Sequence, residues 1–65
     1  MIESPEVINA LDLLRREWGH AYLVWFQAAQ YCACRRDNGA VCRQATAEDL
    51  RREMETDYGA RPVVV

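Results

Sequence analysis

Lysine is absent from this sequence, and all eight of its basic residues are arginine. Ten acidic residues outnumber them, which gives a formal net charge of −2 over 65 residues. A basic domain is the usual signature of a protein that binds nucleic acid through its phosphates. The charge balance therefore argues against a non-specific polyanion binder.

Long apolar runs are also missing. No segment approaches the ~20 apolar residues that cross a bilayer. The first residues, MIESPEV, are acidic and lack the basic start and apolar stretch of a secretory signal peptide. The three cysteines are an odd number, which does not suit a framework of paired disulfides. We therefore expect a reduced, cytoplasmic protein with no membrane segment.

Groups for nucleophilic or acid–base catalysis are scarce. His20 is the only histidine, and Ser4, the only serine, stands where it would cap a helix. A catalytic histidine needs a nucleophile or carboxylate beside it and a third group to orient it, and no such pattern surrounds His20. We expect no enzymatic activity, no catalytic residues and no cofactor.

Apolar residues are abundant for so short a chain, at 51% of the composition. Residues 1–65 suffice for a single domain, and the core of a domain this small is marginally stable by itself. Such a chain often gains further burial from a partner. We therefore expect a homodimer or a complex with another protein.

Two helices are predicted, one at each end of the chain. Ser4, Pro5 and Glu6 suit a helix start, and apolar residues at helical spacing continue to Gly19, so the first helix is expected at about 5–18. Thr46 begins a near capping box, and the second helix is expected at about 47–58, with Gly59 and Pro62 ending it and a tail at 59–65.

The stretch between the helices, from His20 to Thr46, predicts strands. AYLVWF alternates like a strand, aromatics are dense, and Asp37-Asn38-Gly39 is a turn signal. We expect an α+β fold in which a helix, a three-stranded antiparallel meander within 20–45 and a second helix follow one another, with both helices on one sheet face. A helix over 20–37, giving a three-helix all-α protein, is the alternative.

The alternation within the strands divides the sheet into two predicted faces. One face, carrying Tyr22, Val24, Phe26, Cys32 and Cys34, suits the core beneath the helices. The opposite face would then present aromatic residues and arginines, which are favoured in protein interfaces. The predicted interface residues are Leu23, Trp25, Tyr31, Arg35 and Arg43. The function that follows is a non-enzymatic interaction or regulatory module acting through this face.

Nucleic-acid binding is the alternative function. Arg35, Arg36 and Arg43 fall on the second hairpin near aromatic residues, and such a mixture can clamp phosphates and stack on bases. The helix–three strands–helix order is also that of double-stranded-RNA-binding domains. The second helix here opens with acids, however, where such a domain would present bases.

A thiol or zinc site is the third alternative. Cys32 and Cys34 share a strand face, and the direction of Cys42 depends on the turn before it. A two-residue Asn38-Gly39 turn places Cys42 opposite Arg35, on the other face, whereas a three-residue loop places it opposite Cys34 with all three thiols together. The spacing fits no common zinc signature. Apolar packing of the cysteines is the competing interpretation.

The sequence resembles a set of small actinobacterial proteins of unassigned activity. The residues that carry this resemblance are LRREWGHAY at 14–22, YCACRRD at 31–37, TAEDL at 46–50 and DYGARPV at 57–63. The cysteines at 32, 34 and 42 depart from that pattern. The resemblance implies an α+β fold and a bacterial cytosolic setting, and it implies no activity.

Overall fold

The structure, a computed structural model, describes residues 4–63. Residues 1–3 and 64–65, which belong to the predicted domain and tail, lie outside the described residues. The element order is α1 (Pro5–Trp18), β1 (Tyr22–Gln27), β2 (Gln30–Arg35), β3 (Val41–Gln44) and α2 (Ala47–Ala60). This order confirms the predicted α+β fold, and the alternative helix over 20–37 is wrong.

Both helices begin at the predicted caps. The backbone N–H of Val7 donates to the Ser4 hydroxyl at 3.4 Å, and that of Asp49 donates to the Thr46 hydroxyl at 3.1 Å. Each hydroxyl thereby satisfies one of the N–H groups that the first turn of a helix leaves without an intrahelical partner. The local sequence is thus sufficient to fix where each helix starts.

The end of α2 differs from the prediction, because the helix passes through Gly59 and ends at Ala60. Arg61 then leaves the helical region, with φ −146° and ψ 89°. Arg61 precedes Pro62, whose ring disfavours the α conformation in the residue before it. Proline rather than glycine therefore terminates α2.

The three strands form an antiparallel sheet in the order β1-β2-β3. Gln27 pairs with Gln30, so only Ala28 and Ala29 connect β1 to β2, at φ values of 52° and 61°. Two left-handed residues are the mark of a type I′ hairpin turn, which is usually made by Asn-Gly or a similar pair. The tightest turn in the described chain is thus built from residues that carry no turn signal.

The connection from β2 to β3 is longer than either predicted alternative. Arg35 donates its backbone N–H to the Ala40 carbonyl, which leaves a four-residue loop over 36–39. Gly39 has φ 75°, and the Asn38 side-chain oxygen accepts from the Ala40 backbone N–H at 2.9 Å. The Asn-Gly pair does form a turn, as expected, but inside a wider loop that sets a different register.

Both helices pack on one face of the sheet, as predicted. The core there contains Leu11 and Leu14 of α1, Leu50 and Met54 of α2, and strand residues that include Tyr22, Val24 and Ala33. Val63 of the tail is also buried in this core. Within residues 4–63, no helix combines the length and apolarity needed to cross a membrane. Neither of the two helices within the described residues covers the opposite face of the sheet.

The free edge of β1 is covered at one point by α1. The Arg15 guanidinium donates from Nε and Nη2 to the Val24 carbonyl oxygen, at 3.0 and 2.9 Å. Because Gln27 and Gln30 form the pair that closes the hairpin, the Val24 carbonyl points away from β2. Arg15 therefore occupies an acceptor that an added strand would need.

Candidate functional site

The sheet face without helices, here called the open face, is the candidate site. Directly paired residues share a face of an antiparallel sheet, so the register identifies its members. They form three rows across the strands: Leu23, Cys34 and Val41 in the first, Trp25, Cys32 and Arg43 in the second, and Gln27 with Gln30 in the third. The first row is apolar, the second is mixed, and the third consists of two side-chain amides.

The apolar row is the most exposed apolar part of the sheet. Leu23 is 51% exposed and Val41 is 46% exposed, and the two flank a partly exposed Cys34. Trp25 in the second row is also partly exposed, and its ring N–H donates to the Gln27 side-chain oxygen at 3.1 Å. This bond orients the indole along the sheet, so its ring presents a surface that a partner can cover.

Cys32 lies at the centre of the open face yet is only 1% exposed. Its cross-strand neighbours in the sheet are Trp25 and Arg43, whose long side chains stand on either side of it. The Cys32 thiol donates to the Gln30 carbonyl at 3.7 Å, so its polar group is satisfied. Cys32 thus packs as a small apolar residue between two large neighbours.

Two of the predicted interface residues are not on the open face. Tyr31 pairs with Phe26, and Arg35 pairs with Tyr22, so both lie on the face that the helices cover. The predicted grouping of Cys32 and Cys34 with Tyr22, Val24 and Phe26 is wrong for the same reason. A shift of one residue in register exchanges the faces of a whole strand. Leu23, Trp25 and Arg43 remain on the open face.

Arg35 is instead the centre of a buried polar network, and its side chain is 6% exposed. Its guanidinium donates to both carboxylate oxygens of Asp37, at 3.0 and 2.9 Å, and to Asp57 on α2. It also donates to the Arg61 carbonyl at 2.8 Å, while the Tyr22 hydroxyl donates to Asp57 at 2.7 Å. One arginine thus joins the sheet, the β2–β3 loop, α2 and the tail.

The charges of this network favour the ionised carboxylates. Hydrogen bonds from Tyr22 and Arg35 hold the pKa of Asp57 below its usual value. The Arg35 bonds likewise lower the pKa of Asp37, while those carboxylates raise the pKa of Arg35. Burial, together with the bond to Asp57, raises the pKa of the Tyr22 hydroxyl. Every group therefore keeps its ordinary charge at neutral pH, which suits a structural network.

The three arginines proposed for nucleic acid do not form one surface. Arg35 faces the helices, and Arg43 lies on the opposite face of the sheet. Arg36 is in the β2–β3 loop, where its Nε donates to the Gly19 carbonyl at 2.8 Å. The predicted cluster is therefore wrong, since only Arg43 points from the sheet into open solvent.

The three cysteines do not converge either. Cys42 pairs with Ala33, so it faces the helices, whereas Cys32 and Cys34 belong to the open face. All three thiols are free, and residues 4–63 contain no group of three or more His, Cys, Asp or Glu side chains placed to hold a metal ion. The predicted register that would gather Cys32, Cys34 and Cys42 is wrong.

Cys42 borders a small cavity of about 140 Å³ that Arg35, Glu53 and Asp57 also line. Burial, aided by the charge of Glu53, raises the pKa of the Cys42 thiol to about 11. A thiol with such a pKa is protonated at neutral pH and is a poor nucleophile. His20 is exposed and does not line this cavity. Its ring lies edge-on to the Tyr58 ring, with the two ring centroids 6.3 Å apart.

Sequence reasoning missed Gln27, Gln30, Cys32, Cys34 and Val41 as members of the open face. The signal that would have placed them is the length of the two turns between the strands, and Ala28-Ala29 does not reveal the length of the first. Comparison of the chain with protein-family models, with curated proteins and with solved structures finds no match in any of the three.

Proposed function

We propose that this protein is a non-enzymatic interaction module of the reduced cytoplasm that self-associates through its open face. The observation that carries the proposal is the apolar row, in which Leu23 and Val41 are about half exposed beside a partly exposed Trp25. Contiguous apolar surface of this kind on a small domain favours a covering partner. Tryptophan and arginine, both present here, are the residues that most often anchor interfaces.

Two features support a role without catalysis. The Cys42 thiol beside the small cavity has a pKa raised to about 11, so its nucleophilic form is scarce at neutral pH. Both carboxylates of that cavity are already engaged within the fold, since Asp57 accepts from Arg35 and Glu53 accepts from the Gln44 side-chain amide. The three free thiols also suit a reduced compartment.

The size of the open face indicates a weak and reversible association. Strand rise and spacing give this three-stranded face a projected area of roughly 250 Å². A stable interface usually buries about 800 Å² on each partner. We therefore expect a monomer–dimer equilibrium that reaches the dimer only at high protein concentration.

Sedimentation equilibrium over a concentration series reaching the millimolar range tests this proposal. The decisive variant is Leu23→Glu, which places a charge in the apolar row. Leu13→Glu is its matched control, because Leu13 is 52% exposed and lies on α1 beside a groove between the two helices. Both substitutions change a leucine that is about half exposed, so neither places the new charge in the core.

The expected result is that the wild-type chain and the Leu13→Glu variant dimerise, while Leu23→Glu stays monomeric and folded by circular dichroism. A wild-type chain that remains monomeric throughout the series overturns the proposal. Loss of the dimer in the Leu13→Glu variant alone also overturns it, because the groove between α1 and α2 would then be the interface.

A further inference from the structure

The three rows of the open face are arranged so that the face complements itself. The first two rows run from β1 across β2 to β3, with Leu23 and Val41 at the two ends of the first and Trp25 and Arg43 at the two ends of the second, whereas the third row joins only β1 and β2. Cys34 and Cys32 occupy the middle positions. The first row thus has an aliphatic residue at each end, and the second row has an aromatic residue at one end and a cation at the other.

Two sheets that stack face to face lie about 10 Å apart with their strands nearly aligned. A two-fold axis running along β2 between the sheets keeps every row on itself and exchanges β1 with β3. Leu23 then meets Val41 of the second copy, and Trp25 meets Arg43. The indole and the guanidinium attract each other through a cation–π contact. Cys34 faces Cys34 of the second copy across the axis.

A two-fold axis that instead crosses the strands at the second row exchanges the first row with the third. Leu23 would then meet Gln27, and Cys34 would meet Gln30, so the apolar row would bury the amide row. Burial of amides without hydrogen-bond partners is unfavourable. The arginine would also lose its aromatic partner, because Trp25 would face Trp25 and Arg43 would face Arg43.

We propose that two copies of this chain stack open face to open face about a two-fold axis that runs along β2. This arrangement rests on the self-association proposed above and specifies its geometry. It assigns the partner as a second copy, it makes Trp25 and Arg43 complementary contacts, and it places the two Cys34 thiols opposite each other.

A rescue experiment separates the two axes. Leu23→Glu removes the dimer by placing a carboxylate against an apolar residue. In that background, Val41→Arg restores an attractive contact only if positions 23 and 41 face each other. The matched control is Gln27→Arg in the same background, which restores a contact only if the axis runs across the strands. Sedimentation equilibrium at low salt is the measurement, because ion pairs are screened by salt.

Thiol cross-linking supplies an independent readout on the wild-type chain. A short bismaleimide should join two copies through Cys34, and Cys34→Ser should abolish the product, since Cys32 is buried and Cys42 faces the helices. The double variant Cys34→Ser, Gln30→Cys is then mixed with the wild-type chain. Cross-linking between position 30 of the variant and Cys34 of the wild type should be weaker than cross-linking between two wild-type copies of Cys34.

The result expected is restoration of the dimer by Val41→Arg but not by Gln27→Arg, with Cys34 cross-linked to Cys34. Restoration by Gln27→Arg, or a dominant cross-link between positions 30 and 34, overturns this geometry while self-association through the open face stands. The geometry is also overturned if the wild-type chain dimerises but Cys34 forms no cross-link and neither variant restores the dimer in the Leu23→Glu background. A wild-type chain that never dimerises overturns the proposed function itself.

Discussion

The side chains of Arg35 and Asp57, 22 residues apart in the chain, form an ion pair that ties β2 to α2. Asp57 also accepts from the Tyr22 hydroxyl, so one carboxylate serves two partners. We expect Asp57→Asn to lower the free energy of unfolding by about 1–2 kcal/mol, because the amide loses the charge and one acceptor. Urea unfolding followed by tryptophan fluorescence measures this change.

Asp12→Asn is the matched control for Asp57→Asn, because Asp12 pairs with Arg16 on the surface of α1, where both side chains are largely exposed. Surface pairs of this kind contribute about 0.5 kcal/mol or less. Equal effects of the two substitutions would show that the Arg35 network adds nothing beyond a surface pair.

The same carboxylates predict how stability depends on acid. Asp37 and Asp57 have pKa values lowered by folding, so near those values the unfolded chain binds more protons than the folded one. Their stabilisation is complete above the unfolded pKa of about 3.9 and is lost as the pH falls through the folded values. Urea unfolding in a pH series should show the decline, and the double variant Asp37→Asn, Asp57→Asn should flatten it.

The hairpin between β1 and β2 holds two alanines in the left-handed region, at φ 52° and 61°. That conformation costs residues with a Cβ roughly 1–2 kcal/mol each, and Asn-Gly adopts it readily. Replacing Ala28 by Asn and Ala29 by Gly should raise the free energy of unfolding by about 1–2 kcal/mol. Ala28→Val, which adds a β-branch at the same position, should lower it, and a gain from valine would contradict the assigned turn.

Gly19 and Gly59 should respond in opposite directions to alanine. A Cβ on Gly19 would overlap the Arg15 carbonyl oxygen, whereas a Cβ on Gly59, inside α2, would meet nothing within 4 Å. Gly59→Ala should therefore stabilise the protein by about 0.5–1 kcal/mol through helix propensity. Gly19→Ala should destabilise it. Thermal unfolding of both variants checks the pair, and two changes of the same sign would be inconsistent with this packing.

Local sequence determined much of the fold. Ser4 and Thr46 mark the helix starts through hydroxyl caps, which depend only on neighbouring residues. The strand content followed from the aromatic and β-branched residues between the helices. The end of α2 was misplaced by two residues, because Gly59 is a common helix stop and Pro62 is the one that acts here.

The composition of the open face was harder to predict, because it depends on two turn lengths. Ala28 and Ala29 carry no turn preference, yet their two-residue connection decides whether Cys34 or Arg35 shares a face with Leu23. The second loop widens to four residues, and Arg35 bonds to Asp37 within it and to Asp57 on α2. Such long-range pairing is decided by tertiary contacts that no short window of sequence contains.

The bond from Arg15 to the Val24 carbonyl makes the two borders of the sheet unequal. A chain that added itself strand by strand would need a receptive border on each side to grow into a fibril. Here the border at β1 is occupied by a guanidinium from the protein's own helix. Assembly through β3 would consequently join two sheets and stop, so this contact opposes open-ended polymerisation of the sheet.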